Sequence, residues 1–99
     1  MNLGRVTGTV VSTHIEETMK GVKLLVVQYV DHTGKETGAQ TVAADAMGAG
    51  VGEMVLVATG SSARQTVATQ NRPCDAVIMA IVDTWAINDK TVYTKSEDA

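Results

Sequence analysis

Short runs crowded with valine, threonine and alanine, each closed off by glycine or a polar turn, limit what this chain can fold into. Residues 3–13, 22–30, 35–45 and 54–58 read as strands, because β-branched side chains fill them and no helical period fits. In the first run Val6, Gly8, Val10 and Ser12 share a face, and Gly8 predicts a bend or bulge of the kind found at a barrel corner. Asp31-His32-Thr33-Gly34 is a turn that lets 35–45 pair back on 22–30, with Ala39, Thr41, Ala43 and Asp45 in alternation. Residues 75–85 read as a last long apolar run cut by Asp83, and 90–95 as a short final strand after a turn at Asn88-Asp89. Five or six short strands among 99 residues cannot build a large sandwich. An open sheet of this kind would expose its edges, and closing it into a barrel removes most of them. The predicted fold is therefore all-β: a small five-stranded OB-like closed barrel (the oligonucleotide/oligosaccharide-binding type). One short helical turn is expected at 61–65, capped by Ser61 or Ser62. Residues 1–95 make one domain and 96–99 an acidic tail expected to fray.

The charge balance narrows the partners. Eight Lys and Arg against eleven Asp and Glu leave a net charge of -3, the wrong sign for a nucleic-acid surface or an anionic membrane. An OB-like barrel binding single-stranded nucleic acid is the alternative reading, but it needs aromatics over a basic groove. Only Tyr29, Trp85 and Tyr93 are aromatic, so neither nucleic acid nor membrane is the expected partner. The single cysteine, Cys74, excludes an internal disulfide and reads as a small apolar filler. No apolar run approaches a bilayer span, and Met1-Asn2-Leu3-Gly4-Arg5 has no charged-then-apolar leader, so the expected location is cytoplasmic.

Reactive constellations are missing. Gly48-Ala49-Gly50-Val51-Gly52-Glu53 invites comparison with the dinucleotide motif G-x-G-x-x-G, but its sixth position is Glu53 and a strand follows it. It reads as a structural turn. His14 and His32 have no His or Cys at ligand spacing. Ser61 and Ser62 have no downstream His to activate them. Asp45, Asp75 and Asp83 could gather in space, yet strand-end caps are the commoner use of such residues. No catalytic residue, cofactor or metal is expected. The informative charge is Arg64, just after Gly60-Ser61-Ser62-Ala63, where small residues let chains approach closely. It reads either as a surface cation or as a guanidinium joining one subunit to the next, with Glu53 as a candidate type of partner.

These segments together resemble a known family. Arg5-Val6-Thr7-Gly8-Thr9-Val10-Val11-Ser12-Thr13 is similar to its opening strand, and Gly21-Val22-Lys23-Leu24-Leu25-Val26-Val27 to its second. The stretch 45–53, containing Gly48-Ala49-Gly50-Val51-Gly52-Glu53, resembles its signature loop. Gly60-Ser61-Ser62-Ala63-Arg64-Gln65 resembles a second signature and Ile81-Val82-Asp83 the last. The family is that of the bacterial microcompartment vertex proteins, the EutN/CcmL type, and the likeness spans residues 3–95. It implies a non-enzymatic barrel that forms homo-pentamers in the microcompartment shell, beside hexameric shell proteins of another fold. On this likeness the subunit interface is expected at Gly48, Ala49, Gly50, Gly52, Glu53, Arg64 and Asp83. Five chains carry 5 × -3 = -15, so the five-fold axis is expected to be lined by small neutral groups, namely Ser61, Ser62 and Ala63. Arg64→Ala is expected to weaken the ring, as native mass measurement would show.

Overall fold

The protein was described from a computed structural model, which covers residues 1–12, 17, 21–60 and 75–95. The expected helical turn at 61–65, together with His14, Arg64, Cys74 and the 96–99 tail, lies outside the described residues. Seven strands follow one another: β1 (Asn2–Thr9), β2 (Lys23–Val30), β3 (Glu36–Asp45), β4 (Met54–Thr59), β5 (Ala76–Ile81), β6 (Thr84–Ile87) and β7 (Lys90–Thr94). The first five close a barrel in the order β1-β2-β3-β5-β4, and β6 and β7 form a separate two-stranded sheet. All barrel pairings are antiparallel except β3 with β5, as in an OB-like barrel.

Closure removes every edge from this sheet and asks the strands to coil. Register shifts supply the coil: one falls between Val6 and Gly8, where the sequence predicts a bulge, and others between Gln28 and Val30 and between Leu56 and Val57. β1 is shorter than the run 3–13 suggests. Its ladder on β2 ends at the Thr9–Leu25 pair, Val10 N–H makes one further bond to the Leu24 carbonyl, and Val11 is 90% exposed.

The barrel interior holds Val6, Leu25, Val27, Ala43, Ala49, Val55, Val57, Ala76 and Ile78. Small and β-branched side chains suit so narrow a space. Alternation then sends Ala44, Ala58 and Val77 to the outer pleat, where they pack with Val22, Leu24 and Met79. Gly4 is buried in β1 between Tyr29 of β2 and Val55 of β4. A Cβ there would overlap Val27 Cγ1 and come within 3.2 Å of the Gln28 carbonyl oxygen. Gly4→Ala is expected to cost about 3 kcal/mol and lower Tm by roughly 12 °C, read by thermal unfolding.

The run 75–85 is not one strand. β5 stops at Ile81; Val82 N–H still reaches the Met54 carbonyl, and Lys95 N–H meets the Asp83 carbonyl at 2.8 Å. From there the β6–β7 hairpin turns through Asn88 and Asp89, whose φ values of 51° and 64° fit a tight two-residue hairpin turn. Trp85 and Tyr93 face each other across it, stacked with centroids 4.9 Å apart. Tyr93 packs with Val30 and Met54, and Trp85 Nε1–H donates to the His32 carbonyl, so the hairpin is seated on the barrel at the β2–β3 turn.

Candidate functional site

The signature stretch 46–53 joins β3 to β4, and its shape follows from groups on both sides of it. Lys23 opens β2 and Asp45 closes β3, directly opposite in register. The Asp45 carboxylate is fully buried and accepts from Met47 N–H at 2.8 Å and from Ala49 N–H at 2.9 Å. Lys23 Nζ lies 3.6 Å from the same carboxylate and donates to the Ala49 carbonyl at 3.0 Å. The Ala49 peptide is thus held at both ends.

The second half of the loop is held by other groups. Glu53 Oε1 accepts from Gly50 N–H at 2.7 Å and Glu53 Oε2 meets Lys95 Nζ at 2.7 Å. Gly52 N–H donates to the Val6 carbonyl, Val6 N–H to the Glu53 carbonyl, and Arg5 Nη1 to the Gly52 carbonyl at 2.7 Å. The loop therefore continues the β1–β4 ladder for one more step. Gly48 and Gly52 have φ of 78° and 95°, which L side chains rarely adopt. Between these anchors Met47 and Val51 stand 50% and 62% exposed. Two exposed apolar side chains on a pinned backbone make this loop a candidate association surface.

The expected interface residues are placed unevenly. Gly48 and Gly52 are exposed and Gly50 half-buried on the loop. Asp83 is exposed, and its charge bears on Lys95, which is ion-paired with Glu53. Ala49 is different: the whole residue is buried, with its methyl in the barrel core, so in the protomer it offers no surface to a neighbour. Glu53 has its salt-bridge partner within the chain, Lys95. Arg64, Ser61, Ser62 and Ala63 lie outside the described residues. Asp45, Asp75 and Asp83 do not gather; among the described residues no group of three or more His, Cys, Asp or Glu could hold a metal. The sequence reading passed over Met47, Val51, Lys23, Arg5 and Lys95. An apolar residue flanked by loop glycines was the available signal for Val51.

Hydrogen bonding to Lys95 and then to Gly50 N–H holds the Glu53 carboxyl below its ordinary value of 4.5. The same Glu53 bond holds Lys95 above 10.5. The Glu53 contribution is therefore complete above 4.5 and is lost as pH falls through its lowered value. The Lys95 contribution is complete below 10.5 and is lost as pH rises through its raised value. Urea midpoints measured from neutral pH down to about pH 3 should fall for the wild type and fall less steeply for Glu53→Gln.

Comparison with known proteins agrees with this geometry. A family model described as "Ethanolamine utilisation protein EutN/carboxysome" matches residues 1–83. The carboxysome shell vertex protein CcmL of Synechococcus elongatus is 47% identical over 97 residues, 98% of each chain. The solved structure of Gloeobacter violaceus CcmL superimposes with a TM-score of 0.93 at 45% identity, covering 97% of this chain and 99% of that one. The pentameric microcompartment shell protein GrpN of Rhodospirillum rubrum gives 0.81 at 45% identity, covering 88% and 99%. With the glycine-pinned loop inside the matched residues and the barrel shared throughout, the chain belongs to the EutN/CcmL family.

Proposed function

We propose that five copies of this chain close into a ring that fills the five-fold corner of a polyhedral microcompartment shell. The role is structural, not enzymatic. A flat sheet of hexagonal tiles cannot close on itself, and a pentagon at a corner supplies the curvature. The observation that carries this reading is the loop 46–53, which presents Met47 and Val51 outward on a backbone fixed from within the protomer. A heterologous contact repeated around a closing rotation makes a ring. GrpN, a pentameric shell protein by description, shares the fold, and CcmL is described as a shell vertex protein.

In this reading Met47, Val51 and the backbone of Gly48, Gly50 and Gly52 form one side of the seam, with Asp83 near its rim. Arg64, expected from the sequence at the seam, and Ser61, Ser62 and Ala63, expected at the axis, lie outside the described residues. The nucleic-acid alternative has little left to use. Trp85 and Tyr93 stack on each other and Tyr29 packs against the core, so all three aromatics are engaged inside the protomer. Co-expression with hexameric shell proteins of the same compartment tests the function: closed polyhedra should form with this chain, and open sheets or tubes without it. Closed shells in its absence would contradict the vertex role.

A further inference from the structure

We infer that Lys95 is a positioning residue for the subunit seam: through Glu53 it holds the 46–53 loop in the shape that ring closure uses. The inference rests on the ring reading above. The two carboxylate oxygens of Glu53 are divided between the loop and the chain's far end, one taking Gly50 N–H at 2.7 Å and the other Lys95 Nζ at 2.7 Å. Gly50 lies between buried Ala49 and exposed Val51, so this bond fixes the loop beside its outward apolar side chain.

Lys95 is itself held, because its N–H donates to the Asp83 carbonyl at 2.8 Å. Two residues earlier, buried Tyr93 lies under the Arg5 guanidinium, 6.0 Å from Cζ to the ring centroid, and Arg5 reaches the Gly52 carbonyl. Lys95 therefore holds the loop at Gly50 through Glu53, and Arg5 of β1, over the Tyr93 ring, holds it at Gly52, while Asp45 and Lys23 hold it at Met47 and Ala49.

The side chains of Lys95 and Glu53 are 45% and 24% exposed. A pair so open adds little to the stability of the protomer. Its effect should appear in assembly, where a loop already ordered spares the cost of ordering it on contact. An exposed ion pair is typically worth a factor of about three in an equilibrium constant. Threefold at each of five seams compounds to roughly 240-fold in the ring constant, or about fourfold in the concentration of half-assembly.

The test is native mass over a dilution series for the wild type, Lys95→Met, Lys95→Arg, Glu53→Gln and the Glu53→Gln/Lys95→Met double variant. NMR-detected hydrogen exchange at the Gly50 amide is followed in parallel on dissociated chains. Lys95→Met should raise the half-assembly concentration about fourfold, Lys95→Arg should restore it, and the double variant should be no worse than Glu53→Gln alone. Gly50 exchange should speed up in Lys95→Met while the Val57 amide in β4 stays protected. An unchanged half-assembly concentration in Lys95→Met, with wild-type rings present, would overturn the brace and leave the ring standing. Additive effects in the double variant, or unchanged Gly50 exchange, would overturn it too. A wild type that forms no ring would overturn the ring reading, and faster Gly50 exchange in Lys95→Met would still support the brace on the loop.

Discussion

Asp45→Ala should unfold the signature loop and cost the protomer about 4 kcal/mol. The carboxylate accepts two backbone N–H groups from inside the fold, at 2.8 and 2.9 Å, with no exposed surface of its own. Hydrogen bonds to a charged group contribute about 1.5–3 kcal/mol each, and a buried donor left without a partner adds its desolvation penalty. Ala49 N–H would be such a donor, and Lys23 would lose its countercharge. Against a typical domain stability of about 5–15 kcal/mol this is a large share, and Tm should fall by roughly 15 °C or more. Rings should be lost as well, because Met47 and Val51 depend on that anchor for their position. Asp45→Asn retains one acceptor oxygen and should recover part of the loss. A shift below about 1 kcal/mol for the alanine variant would show that the loop holds its shape without this anchor.

Val51→Asp should do the opposite: leave the protomer intact and abolish the ring. Val51 is 62% exposed, so the isolated chain accepts a carboxylate there with a stability change within about 0.5 kcal/mol. In a closed ring the same carboxylate would be buried at each seam without a partner, costing about 3–5 kcal/mol per contact. The charge per chain goes from -3 to -4, which takes a ring from 5 × -3 = -15 to 5 × -4 = -20 and adds repulsion. The expected result is a species of 10.4 kDa with the circular dichroism of the folded barrel. Persistence of wild-type assembly would remove Val51 from the seam, and Met47→Asp provides an independent check of the same loop.

The barrel was legible in the sequence because its strands carry their own punctuation. Gly8 marked the β1 bulge, Asp31 to Gly34 the first hairpin turn, and Asn88-Asp89 the last, each by a residue type tied to a backbone geometry. The glycine block 48–52 was legible as a turn for the same reason. What stayed hidden depends on register and on contacts distant in sequence. An apolar run cannot show where it leaves one ladder for another, so 75–85 read as one run cut by Asp83, although β5 ends at Ile81 and the hairpin begins at Thr84. Ala49 sits among glycines with no alternation to say which way its methyl points; the structure turns it into the core. Lys23 opposes Asp45 only because of the β2–β3 register, and Lys95 meets Glu53 only because the hairpin folds back past Asp83. The site thus combines a loop visible in sequence with anchors that appear only once the topology is known.

The central claim is that identical barrels close five at a time through this loop. Native mass spectrometry of the wild-type chain at neutral pH tests it most directly. A single dominant species of 5 × 10.4 = 52 kDa is expected; a monomer or dimer at every concentration, or a ring of another order, would contradict it.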